Sequence, residues 1–166
     1  MHATSWCTYC PTMEDVAREA AVDTLVRDSD AVPDSVEIVR QRCSGDRVTV
    51  LARWTEAGEG RLRRGAVDVA MTRGELRAVG AWSSNANHDS DNPVWDAWGG
   101  GGQSLSGWVS DPAAAMVRFR HRDGSQVDAD TVQDGVAILI YETAPRGSVI
   151  ESLDKDGKVL HTAPFV

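Results

Sequence analysis

The stretch Val132-Gln133-Asp134-Gly135-Val136-Ala137-Ile138-Leu139-Ile140 decides the fold class of this chain. Asp-Gly tolerates the positive φ that a tight hairpin demands, and an apolar run rich in β-branched residues follows it at once. The same punctuation recurs on both sides, at Asp123-Gly124 and at Asp156-Gly157. Between and around these turns the spacing predicts short antiparallel strands at Gly107 to Ser110, Ala115 to His121, Val136 to Glu142, Ser148 to Asp154 and Lys158 to Thr162. A weaker strand is expected from Gln126 to Val132. Strands joined at this interval point to a small β-sandwich.

Working back toward the N-terminus, the pattern changes period. Met13, Val16, Ala17, Ala20, Ala21, Thr24 and Leu25 recur at helical spacing, which predicts one helix from about Pro11 to Arg27. Thr12, with Glu14 and Asp15 after it, resembles a capping box at its start. Asp28-Ser29-Asp30 and Pro33 end it. Four strands are then expected. Val36 to Arg40 turns at Ser44-Gly45-Asp46 into Val48, Val50, Ala52 and Trp54, which alternate with Thr49, Leu51 and Arg53. Val67, Val69 and Met71 lead through Arg73-Gly74 to Leu76, Ala78, Gly80 and Trp82. A helix covering one face of an antiparallel meander is an α+β unit. From Ser83 to Ser106 the residues turn to Ser, Asn, Asp and Gly, which reads as a long loop. The expected organisation is therefore a helix-plus-meander unit over 12–84, a Gly/Asn/Asp-rich loop over 85–103 and a sandwich-like unit over 104–166, the two units sharing one core or holding two.

The segments Gly107-Trp108-Val109-Ser110-Asp111-Pro112-Ala113-Ala114-Ala115 and Asp130-Thr131-Val132-Gln133-Asp134-Gly135-Val136-Ala137 resemble a stretch of uncharacterised actinobacterial proteins. Their hairpin pattern is also similar to immunoglobulin-like and transthyretin-like sandwich modules. The resemblance covers about residues 104–166. It implies a fold and an association with the cell envelope, and it transfers no functional residue.

The chain has 166 residues and a formal net charge of -8. That charge opposes binding to nucleic acid or to an anionic membrane, both of which need a basic field. The basic clusters Arg61-Leu62-Arg63-Arg64 and Arg118-Phe119-Arg120-His121-Arg122 are short enough to be solvated strand edges and loops. No stretch approaches the length of a membrane span, and residues Met1 to Cys10 show no signal-peptide pattern. The sequence as written is expected to be cytoplasmic and not membrane-inserted. Met13 is an alternative start, at the point where the helix begins.

Cys7-Thr8-Tyr9-Cys10, between Trp6 and Pro11, resembles the active-site motif of thioredoxin-fold oxidoreductases. There Cys7 would be the attacking thiolate, since a helix start lowers a thiol's pKa, and Cys10 the resolving thiol. The surrounding pattern differs: no central strand precedes the motif and no parallel βαβ unit follows it. A zinc site would take Cys7, Cys10, Cys43 and His2, but only one close ligand pair exists. Calcium loops at Asp89-Ser90-Asp91-Asn92 and Asp154-Lys155-Asp156-Gly157 miss the EF-hand spacing, and the second reads better as a hairpin turn. Gly99 to Gly102 lacks the Lys of a phosphate-binding loop, and Gly102-Gln103-Ser104-Leu105-Ser106 misses the nucleophile elbow by its last residue. His2, His88, His121 and His161 share no metal or triad spacing.

The aromatic set is skewed, with six Trp against two Phe and two Tyr. Trp54, Trp82 and Trp108 are expected in cores. Trp95 and Trp98, with Asp96 between them, are the candidate binding residues, because an indole covers the apolar face of a sugar or of a partner. The sequence thus points to a non-catalytic β-rich binding or interaction module, with no cofactor and with an unidentified protein or small ligand as partner. The alternative is a thiol-redox or zinc protein using the N-terminal cysteines.

Overall fold

In the computed structural model, which describes residues 10–86, 90–100, 103–143 and 147–165 and side chains from Met13 onward, helix α1 spans Cys10–Asp28. Ala17, Ala21 and Leu25 recur every fourth residue and are buried, one apolar stripe that packs on the sheet beneath the helix. Val16 falls outside that stripe and is exposed. The helix already includes Thr12, which places the expected cap inside the first turns instead of before them. At its other end the Ser29 and Ala31 amides both donate to the Leu25 carbonyl, and Asp30 takes a positive φ of 49° to allow it.

The first sheet is antiparallel in the order β1 (Glu37–Ser44), β2 (Arg47–Thr55), β3 (Leu62–Thr72) and β4 (Glu75–Asn85). Val48, Val50, Ala52, Trp54, Val67 and Val69 meet the helix. The opposite face is covered as well: Leu51 and Ala66 pack on Val136 and Ile138 from the C-terminal part of the chain. Burial on both faces is why Val48 to Ala52 is an almost unbroken apolar run. A register shift opposite Asp68 and Val69 makes β4 change sides. Before it Leu76 and Ala78 pack toward the helix; after it Trp82 packs toward the other layer.

The remaining strands are β5 (Trp95–Gly99), β6 (Ser104–Val109), β7 (Met116–Arg120), β8 (Gln126–Thr131), β9 (Val136–Ile140), β10 (Val149–Leu153) and β11 (Val159–Pro164). They form a three-stranded sheet, β5-β6-β9, and a four-stranded sheet, β11-β10-β7-β8. All recorded pairings are antiparallel. The two sheets enclose Trp95, Leu105, Val117, Phe119, Leu139 and Ile150, with Phe119, Tyr141 and Phe165 in mutual ring contact. The molecule is α+β and β-rich, in successive layers: helix, first sheet, three-stranded sheet, four-stranded sheet.

Two expectations are corrected here. The 85–103 loop contains β5, and Trp95 is 0% exposed in the core between the last two sheets, while Trp98 is 42% exposed. Positions three apart on a strand face opposite sides, which matches the alternating burial from Trp95 to Trp98, and the pairing with β6 shifts register between Trp95 and Ala97. The basic cluster at 61–64 is also not wholly solvated, because the Arg64 side chain is buried over Trp108 with 5.5 Å to the ring centroid. Trp54 is buried as expected; Trp82 and Trp108 are half-buried and meet edge to face, 6.2 Å between centroids. Among the described residues no helix is long and apolar enough to cross a membrane.

Candidate functional site

The first sheet presents a row of arginines to the layer above it. The β1–β2 register puts Arg40 opposite Leu51 and Arg42 opposite Thr49, on the face away from the helix. Arg40 pairs with Asp130 at 2.7 Å and donates to the Thr131 and Val136 carbonyls. Arg42 pairs with Asp128 at 2.5 Å and donates to the Ile138 carbonyl. The two carboxylates in turn accept the Ile138 and Ile140 amides at 2.7 and 2.8 Å. Side chains of β1 and β8 thereby satisfy the main chain along one edge of β9, where a further strand would otherwise pair.

Farther along the same face, Asp68 accepts from Thr49 at 2.6 Å and from Ser104 at 2.7 Å, tying the first sheet to β6. Arg64 pairs with Asp96 at 2.7 Å, so Asp96 anchors one layer to the next and is not part of an open tryptophan platform. Of the residues singled out for binding, Trp98 alone keeps an exposed indole. Gly107 lies opposite it on β6, and a side chain there would strike the Ala97 carbonyl.

Where this interlayer seam opens, a cleft of about 810 Å³ is lined from both parts of the chain. The β1–β2 turn supplies Asp46 and the start of β2 Arg47, the residue after β7 is His121, the start of β8 supplies Val127, and the segment after β9 supplies Tyr141 and Glu142. The rim is held in place. The Met71 amide donates to the Asp46 carbonyl at 2.9 Å, and the Tyr141 amide to the Gln103 carbonyl at 3.0 Å. Gln103 Nε2 donates to the Glu142 carbonyl at 3.2 Å. The Tyr141 hydroxyl donates to the Ser104 carbonyl at 3.2 Å, and burial, with the Asp68 charge, pushes its pKa up. It is therefore a neutral donor and not a base.

Two histidine pairs have the look of acid–base machinery. The Ser148 hydroxyl lies 3.5 Å from His121 Nδ1, but Ser148 is buried beneath the surface. His161 Nε2 meets Asp111 at 2.8 Å, and its cross-strand neighbour Ser152 is fully buried. Neither hydroxyl can reach a substrate in this arrangement, which leaves both pairs without a nucleophile.

Of the thiol and zinc candidates, His2 and Cys7 lie outside the described residues, as does the side chain of Cys10. Cys43 is half-buried, its Sγ 3.6 Å from Glu14 Oε1 on α1. Among the described residues no group of three or more His, Cys, Asp and Glu is gathered as a metal site. The Asn92 side chain accepts the Val94 and Trp95 amides, making an entry turn for β5, and Asp154 accepts the Asp156 and Lys158 amides in the last hairpin.

The sequence gives no sign of the cleft, because Asp46, Gln103, His121 and Tyr141 come from separate turns and strand ends with no motif in common. Comparison with family models, with curated proteins and with solved structures gives no match, so the geometry alone carries the functional reading.

Proposed function

We propose that the chain is a non-catalytic β-rich binding module whose ligand occupies the cleft between the β1–β2 turn and the end of β9. The observation that carries this reading is the cleft itself. Its volume of about 810 Å³ falls in the range of small-molecule sites, roughly 300–1,000 Å³, and its lining combines polar residues with the apolar surface of Val127, Ile140 and Tyr141. The buried hydroxyls beside His121 and His161 favour binding over hydrolysis.

The strand order also supports reading β5–β11 as an immunoglobulin-like sandwich, in preference to a transthyretin-like one. Seven strands divide three and four between packed antiparallel sheets. In a constant-type immunoglobulin domain the fourth strand pairs with the fifth. Here β8 pairs with β7 and reaches β9 through the carboxylates of Asp128 and Asp130. Sandwiches of this kind are carriers of binding loops, which fits a cleft built from strand ends and turns.

An amide-resolved NMR screen of the ¹⁵N-labelled full chain against a mixed library of small polar and aromatic compounds tests this. Hits should shift Gly45, Gln103, Tyr141, Glu142 and Thr143 together. A library that shifts none of these amides, or shifts only those around Trp98, refutes the cleft as the site. The second reading, a thiol or zinc protein, is favoured by the position of Cys10 in the opening turn of α1. It requires a bound zinc or a reversible Cys7–Cys10 disulfide, and it fails if a chain begun at Met13 binds the same hits equally well.

A further inference from the structure

Resting on the cleft as the binding site, we infer that its ligand is a small zwitterion, bearing one carboxylate and one ammonium group, of the kind found in free amino acids and short peptides. Arg40, Arg42, Arg53 and Arg64 each meet a carboxylate, from Asp130, Asp128, Glu37 and Asp96 in that order. Arg47 belongs to the same strand as Arg53 and, by the alternation along β2, to the same face as Thr49 and Leu51. It is half-buried, lines the cleft and makes no ion pair with a carboxylate among the described residues. A guanidinium taken partly out of water with no carboxylate on its fork carries a desolvation cost, and a ligand carboxylate seated there would relieve it.

The rest of the rim decides between anions. Asp46 and Glu142 line the same cleft, and their side chains make no ion pair among the described residues. Among the described lining residues two carboxylates stand beside Arg47; on a chain of net charge -8 they repel a doubly charged phosphate group and attract an ammonium. His121 and Gln103 add hydrogen-bonding capacity. Val127, Ile140 and Tyr141 offer apolar surface to the part of the ligand between its charged ends.

Titration of the labelled full chain with trialanine, L-alanine, trialanine amide, N-acetyltrialanine and inorganic phosphate tests the inference. Trialanine or L-alanine should shift the Gln103, Tyr141 and Glu142 amides, and whichever binds tighter separates a peptide site from an amino-acid site. Amidating the carboxylate should weaken binding about tenfold or more, and Arg47→Ala should do the same. Arg47→Lys, which keeps the charge without the fork, should fall between. The double variant Asp46→Asn/Glu142→Gln should weaken trialanine yet strengthen N-acetyltrialanine, a reversal that mere unfolding does not produce. If phosphate binds tighter than both zwitterions, or if the blocked peptides bind as well as trialanine, the zwitterion inference is overturned while the cleft stands. If these probes leave the cleft amides unmoved and other library compounds shift them, it is again the inference that fails. If no compound moves them, the cleft reading fails with it.

Discussion

Removing the indole of Trp95 and removing that of Trp98 probe two environments on one short strand. Trp95 fills the space between the two C-terminal sheets, so Trp95→Ala should cost about 3–5 kcal/mol through lost transfer energy and a cavity. Trp98 lies opposite Gly107 with its indole exposed, and Trp98→Ala should change stability by about 1 kcal/mol or less. Urea denaturation of the two variants checks the difference; equal losses would place Trp98 in the core. Gly107→Ala should be costlier than its size suggests, roughly 1–3 kcal/mol, because the added methyl meets the Ala97 main chain, which cannot swing aside. The sequence marks Trp95 and Trp98 as a pair because both are Trp in a polar stretch. It carries no sign that the stretch is a strand, on which positions three apart face opposite sides and Trp95 is buried while Trp98 is exposed.

At the scale of elements, the turns show how local sequence sets local geometry. Asp134 and Gly135 take φ values of 53° and 74°, the two positive values a type I′ turn requires, as the Asp-Gly pair predicts. Arg73 and Gly74 take 53° and 83° between β3 and β4, but arginine is a poor residue for the first of those positions. Arg73→Asn should therefore raise stability by about 0.5–1 kcal/mol, read as a higher midpoint in thermal unfolding. A lowered midpoint would mean that the arginine side chain contributes a contact worth more than its backbone strain. Strand β10 supplies the pH-sensitive element. Burial opposes ionisation of Glu151, yet hydrogen bonds from Arg120 and Arg118 outweigh it and hold its carboxyl below the ordinary glutamate value of 4.5. In the unfolded chain this group takes up its proton near that ordinary value, and in the folded chain only at lower pH. The unfolded state then binds more protons between the two, so the contribution is present above that window and is lost as pH falls through it. Glu151→Gln should lower stability at pH 7 and flatten the loss of stability on acidification below about pH 4.5. An unchanged acid slope would assign that slope to other carboxylates.

At the scale of the whole molecule, the layers are joined by a polar seam as much as by an apolar one. Arg40 and Asp130 are 13% and 7% exposed, and Asp130 also accepts the Ile138 amide. Asp130→Ala should cost about 3–5 kcal/mol, since it strands a buried guanidinium and a main-chain donor together. Adding Arg40→Ala should recover part of that loss, with a coupling of at least about 1 kcal/mol in a double-mutant cycle. Additive losses would mean that the two groups act independently and that the seam is not a unit. The seam ties β1 to β8 and to the main chain of β9, the layers between which the cleft opens.

The sequence by itself determined the helix stripe of Ala17, Ala21 and Leu25, the turns at Arg73-Gly74 and Asp134-Gly135, and nearly every strand, because period and turn chemistry act over a few residues. It also made the chain acidic and left it without a long apolar helix among the described residues. Only the tertiary structure decided that the first sheet is covered on both faces, that β5 lies within an apparent loop and that Asp96 serves Arg64. Each of those outcomes depends on a partner far along the chain: Leu51 on Ile138, Trp95 on the opposite sheet, Arg64 on Trp108. The cleft is the extreme case, since its residues share no local pattern and meet only when the layers stack. Local rules fix conformation residue by residue; which faces are buried, and which side chains the layers bring together around the cleft, is settled by packing over distance.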